Sequence, residues 1–119
     1  MKELNRNSGT AGERAVLVSV ILDDQGSYHE DPLEELNDLA ESAGAVVVGR
    51  LTQRRTAPDI ATYLGKGKVD ELKLLVEAHE ADIVVFDNNL NPGQTRNLEK
   101  ALGVKVLDRT ELILDIFAG

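Results

Sequence analysis

Ala15-Val16-Leu17-Val18-Ser19-Val20-Ile21-Leu22 is a nearly continuous aliphatic run, rich in β-branched residues. Such a run marks a strand covered on both faces, whereas a strand with one wet face alternates. Buried strands of this kind belong to parallel sheets, whose crossover connections are usually helices. The chain repeats the theme. Ala45-Val46-Val47-Val48, continuing weakly to Leu51, reads as a second strand. Ile83-Val84-Val85-Phe86 reads as a third and Val104-Lys105-Val106-Leu107 as a short fourth.

The segments between carry helix signals. At Asp31-Pro32-Leu33-Glu34, Asp31 can cap, Pro32 suits the first helical position and Glu34 can close a capping box. Leu33, Leu36, Leu39, Ala40 and Ala43 then share one face, and Gly44 ends the helix. A second helix over 69–79 places Val69, Leu72, Leu75 and Val76 on its buried stripe, with His79 beside it as a packing residue. Asn91-Pro92-Gly93-Gln94 starts a third helix, which carries Leu98, Ala101 and Leu102 and stops at Gly103. Asp108-Arg109-Thr110-Glu111 starts a fourth, apolar almost all round through Leu112, Ile113, Leu114, Ile116 and Phe117. A helix of that composition wants a partner surface. The expectation is an α/β domain: a four-stranded, mainly parallel sheet in the order 2-1-3-4, flanked by helices in three layers. Residues 1–12 are expected to be a flexible tail, residues 13–119 one domain, and residues 52–60, containing Pro58, a polar connection.

Composition narrows the function. Of 119 residues, 42% are hydrophobic and 29% charged, the balance of a globular domain. There is no cysteine, so disulfide and thiolate chemistry are excluded. The sequence contains no apolar run of membrane length and no signal peptide at its start, which favours the cytoplasm. Only 3% of residues are aromatic, too few for a base-stacking platform. The net charge of −8 argues against a general nucleic-acid binder, but the charges are unevenly spread. Between Asp23 and Glu41 there are eight acids and no Lys or Arg. Between Arg50 and Lys73 there are six basic residues against three acids. An acidic side and a basic side follow, the latter led by Arg54, Arg55, Lys66 and Lys68.

Little catalytic chemistry is on offer. His29 and His79 are isolated, which leaves no Cys/His metal set and no Ser-His-Asp triad. In parallel sheets ligands bind beyond the carboxyl ends of the strands, here at Asp23, Asp24, Asp87, Asn88 and Asn89. Those carboxylates could hold Mg²⁺ through oxygens. A receiver domain would want a Lys-Pro pair after its last strand, and here Val106 follows Lys105. The clearer motif is Tyr63-Leu64-Gly65-Lys66-Gly67-Lys68, where a Gly-Lys turn runs into a helix. A helix start offers unpaired N–H groups and partial positive charge, and two lysines beside it suit a phosphate. It is not a P-loop: one residue separates Gly65 from Gly67, and Val69 stands where Ser or Thr is needed.

Taken together, the motifs resemble a known family. Leu36, Leu39, Ala40, Ala43-Gly44 and Gln53 match its opening, and Pro58 with Tyr63-Leu64-Gly65-Lys66-Gly67-Lys68 its most distinctive block. Asn97-Leu98-Glu99, Val106-Leu107-Asp108-Arg109-Thr110 and Leu112-Ile113-Leu114-Asp115-Ile116-Phe117-Ala118 complete it. In these residues the chain resembles the N-terminal domain of HflX, a family of ribosome-associated GTPases.

The resemblance implies a parent protein in which a helical hairpin and a GTPase domain follow, the latter holding GTP and magnesium. Neither is contained in these residues, so no turnover and no cofactor are expected here. It further implies docking to the large ribosomal subunit and restraint of the GTPase domain. Arg54, Arg55, Lys66 and Lys68 would then meet rRNA phosphates, and Ile113, Ile116 and Phe117 would pack on the hairpin or the GTPase domain. A purine-nucleotide site attributed to the family's N-terminal region would fall on Gly65, Lys66, Gly67 and Lys68, with Asp87 or Asn88 on sugar or metal. The third possibility is a purely structural cap.

Overall fold

The computed structural model describes residues 9–22 and 31–118. The elements are β1 (Arg14–Leu22), α1 (Glu34–Ser42), β2 (Val46–Arg55), α2 (Lys66–Ala78), β3 (Ile83–Phe86), α3 (Pro92–Leu102), β4 (Lys105–Asp108) and α4 (Arg109–Ala118). The sheet has four strands in the order β2-β1-β3-β4, and every pairing is parallel. The expected order and class are both present.

The alternation of β1 splits the core in two. Val16, Val18 and Val20 face one side, where Leu72 and Val76 of α2 and Leu98 and Leu102 of α3 cover them. Ala15 and Leu17 face the other, under Leu36 and Ala40 of α1 and Leu112 of α4. Phe86, Val84 and Val106 join the first cluster, and Ile83, Val85 and Leu107 the second. Each face is therefore roofed by two helices, which is why the strand sequences show no wet side.

The helix ends follow local chemistry, with one departure. Asn91 accepts from the Gln94 N–H while Gln94 Oε1 accepts from the Asn91 N–H, a complete capping box, and Gly103 closes α3 at φ 74°. Asp108 accepts from the Glu111 N–H at 2.9 Å and so caps α4. The guanidinium of Arg14 donates twice to the His79 carbonyl, at 3.0 and 2.9 Å, placing positive charge at the end of α2. The departure is α1. It begins at Glu34, with Leu33 at the cap and no side-chain capping bond. Asp31 instead accepts from the Leu33 N–H and pairs with Arg50 of β2 at 2.6 Å. The strand partner captures the carboxylate that was expected to cap the helix.

Two further expectations change. β2 extends to Arg55, so residues 52–55 are strand rather than connection. A bulge between the partners of Ala15 and Val16 shifts the β2 register at Val48. Within the expected tail, residues 1–8 lie outside the described residues, but Gly9 to Gly12 are packed in place. Thr10 is buried and donates to Asp115 of α4 at 2.7 Å. Lys105, only 4% exposed, donates to the Gly9 carbonyl and to Glu13, both at 2.9 Å. This strap ties the segment before β1 to β4 and α4.

Asn88 extends the pairing between β1 and β3 beyond the last strand residue. Its amide donates to the Val20 carbonyl at 2.9 Å and accepts from the Val20 N–H at 2.8 Å. Both Val20 groups are buried and would otherwise be unsatisfied. Replacing Asn88 by Leu should therefore cost about 1–3 kcal/mol, measured as a lower urea midpoint with unchanged m-value.

Candidate functional site

At the carboxyl edge, Asp23 and Asp24 lie outside the described residues. The remaining groups there are committed to the fold. Asp87 pairs with Arg109 at 2.8 Å, and Arg109 also pairs with Glu35 of α1. Asn88 is held by Val20, and Asn89 accepts from the Thr110 hydroxyl. The crevice between α1 and the sheet edge, about 430 Å³, is lined by Asp31, Pro32, Glu34, Glu35, Asp38, Asp87 and Arg109. Five carboxylates against one guanidinium repel a phosphate. The expected role of Asp87 or Asn88 on a nucleotide sugar or metal is not supported by this geometry. Among the described residues no cluster of three or more His, Cys, Asp or Glu could hold a metal ion.

The Gly-Lys motif is built differently from its sequence reading. The helix starts at Lys66, three residues early, with Gly65 as an extended N-cap at φ −64°, ψ 153°. Lys66, Gly67 and Lys68 thus form the first turn of α2, with no acidic residue among them and no side-chain cap. The backbone N–H groups of that turn and the lysine charges share one end of the helix. Gly67 faces open space. Lys66 is exposed, and Lys68 reaches Glu71 one turn on at 3.3 Å. GTP held in the P-loop manner does not fit, since Val69 follows Lys68.

β2 supplies the other wall. Gln53 accepts from the Gly65 N–H at 2.8 Å. A Cβ on Gly65 would lie 2.7 Å from Arg55 Nη1 and 3.0 Å from Gln53 Nε2, so the glycine permits this approach. Arg55 therefore stands against the N-cap of the helix whose first turn carries the two lysines, and its Nε donates to the Ala57 carbonyl at 2.9 Å. Arg54 does not stand there. Successive strand residues point to opposite faces, and Arg54 lies in register with Ile21 while Arg55 pairs with Leu22. Arg54 belongs with Arg50 on the α1 side of the sheet. The expected set of four cations is thus divided: Arg55 lies on the face of the start of α2, and Arg54 on the other.

The turn leading into the motif was missed from sequence, although its Pro-Asp start is turn chemistry. Asp59 accepts from the Ala61 N–H at 2.8 Å and the Thr62 N–H at 3.1 Å. Its own backbone bonds Tyr63 in both directions. From α3, Gln94 donates to the Asp59 carbonyl and Asn97 to the Ala61 carbonyl. The fourth helix, in turn, exposes only Phe117 of the expected Ile113, Ile116 and Phe117, and Leu114 in addition. Ile113 and Ile116 are half-buried, whereas Leu114 and Phe117 are exposed, the latter by 84%.

The N–H bonds from Thr62 and then Ala61 hold the Asp59 carboxyl below its ordinary value of 3.8. A carboxyl lowered in the folded state contributes stability above its unfolded value, and that contribution disappears as pH falls through the folded one. Asp59→Asn should therefore melt lower than the wild type at neutral pH. The gap should begin to narrow near pH 3.8 and close as the pH falls further through the lowered folded value, followed by circular dichroism across a pH series.

Comparison with known proteins agrees with the motif. Residues 30–118 match the family described as GTP-binding GTPase N-terminal. A GTPase HflX of Caldanaerobacter subterraneus is 49% identical over 118 residues, covering 99% of this chain and 26% of that protein. The GTPase HflX of Escherichia coli is 44% identical over 108 residues, 91% of this chain and 25% of that protein. The chain spans about a quarter of the length of these relatives. Among solved structures, a GTP-binding protein from Sulfolobus solfataricus in complex with GDP superposes with a TM-score of 0.62, over 89% of this chain and 30% of that one. At 24% identity that likeness is one of fold. No helix among the described residues is long and apolar enough to cross a membrane. The chain belongs to the GTP-binding GTPase N-terminal family and corresponds to the N-terminal domain of HflX proteins.

Proposed function

We propose that this domain is the accessory part of a GTP-hydrolysing protein and docks it onto rRNA of the large ribosomal subunit. The names of its relatives support the GTPase parent. The observation that carries the docking reading is the set of cations on the two elements that meet at Gly65. Lys66 and Lys68 occupy the first turn of α2, and Arg55 of β2 stands against its N-cap. The acids of α1 lie on the opposite face of the sheet, in the other core layer. A chain of net charge −8 can thus still present a local positive surface to a polyanion. A ribosomal partner fits the expected cytoplasmic location.

The last helix has the second role. Leu114 and Phe117 form an apolar strip on α4, which suits packing against the parent's hairpin or GTPase domain and restraining it. GTP and magnesium belong to that domain.

A purine nucleotide held at Gly65, Lys66, Gly67 and Lys68 is the weaker alternative. A small ligand needs walls that bury most of its surface. Here Gly67 faces open space and Lys66 is exposed, a better match for the backbone of a large polyanion.

Co-sedimentation with purified large subunits across a salt series tests the docking reading. The wild type should pellet at low salt. Lys66→Ala/Lys68→Ala should weaken binding and flatten the logarithmic salt slope by about one to two units. Arg54→Ala, on the other face, should bind as the wild type does. A wild-type chain that stays in the supernatant at low salt would overturn the proposal.

A further inference from the structure

The turn 59–63 is held more firmly than a connection between a strand and a helix requires. One carboxylate accepts from two successive backbone N–H groups, and the Asp59 and Tyr63 backbones bond each other in both directions. Two side chains of α3 grip its carbonyls. Tyr63 is kept at φ 68°, a left-handed conformation that is unfavourable for a residue with a large side chain. This frame displays Ile60, which is 92% exposed. An aliphatic side chain on a fixed turn loses no backbone freedom when a partner covers it.

The chemistry around the turn selects the kind of partner. Asp59 is the only acid between residues 42 and 69. Its carboxylate is occupied by the Ala61 and Thr62 N–H groups. The next charges along the chain are Lys66 and Lys68. An apolar tip followed by cations fits a ligand with both apolar faces and dense negative charge. RNA with unstacked bases has both.

We propose that Ile60 is an apolar anchor seated on an exposed base or ribose face of the RNA, with Lys66 and Lys68 on neighbouring phosphates. This rests on the docking reading above and adds a contact that charge does not supply.

The test uses the 119-residue chain with large subunits and with protein-free rRNA extracted from them. Ile60→Ser should bind both about tenfold more weakly. Its salt slope should match the wild type, because counterion release counts phosphates and not apolar contacts. Since Ile60 is exposed, its melting temperature should be unchanged. Leu74→Ser, which removes a 67% exposed apolar side chain on α2, should bind normally. If Ile60→Ser binds like the wild type while Lys66→Ala/Lys68→Ala does not, the anchor is wrong and docking stands. Weaker binding to subunits alone, with rRNA binding unchanged, would overturn RNA as the partner of Ile60 in favour of a ribosomal protein. A wild type that binds neither would overturn both readings.

Discussion

β1 is hydrogen-bonded along both edges and covered on both faces, and this double enclosure constrains everything else. Parallel neighbours on each side mean that the chain must cross over the sheet to reach them. The crossovers bring α1 to one face and α2 and α3 to the other, and α4 completes the first layer. The gap between residues that face opposite layers is a single peptide unit. That is why Arg54 and Arg55, adjacent in sequence, serve different surfaces. The sheet separates the acidic helix from the cationic helix start, so their charges are not neutralised in one place.

What sequence reading captured was the part governed by burial and local chemistry. The four strands and their order follow from apolar runs too continuous for a half-wet sheet. The α3 box follows from Asn91 and Gln94, three residues apart, and its end from Gly103. The misses have a shared cause: partners distant in sequence. β2 looks polar beyond Leu51 because it is an edge strand, and an edge tolerates Thr52, Gln53, Arg54 and Arg55. Asp31 looked like a cap until Arg50 competed for it. Asn88 looked available for a ligand, yet its amide serves a residue 68 positions away. Within the candidate site, Lys66 and Lys68 were legible from composition. The clamps by Gln53, Gln94 and Asn97 were not, since an amide in a sequence carries no sign of what it holds.

The site also shows how a glycine can matter through its neighbours rather than its dihedrals. Gly65 is at an ordinary φ of −64°. Its value lies in the missing Cβ, which lets Gln53 and Arg55 close against the start of α2. The N-cap carries no side chain that could satisfy the helix N–H groups, and this keeps them pointed outward beside two lysines.

The strap before β1 has a consequence for the order of assembly during synthesis. Thr10 and Asp115 are separated by 105 positions, and Lys105 and Gly9 by 96. By contrast, β1, α1 and β2 can meet as soon as residue 55 is available. A chain emerging from its first residue onward can form that half early, with contacts of short loop closure. Its leading segment can meet Ala43 and Gly44 that early, but its bonds to Lys105 and Asp115 must wait for nearly the whole domain. Those two bonds are therefore a late-forming lock, and their closure coincides with the seating of α4 beside α1 on the same face of the sheet.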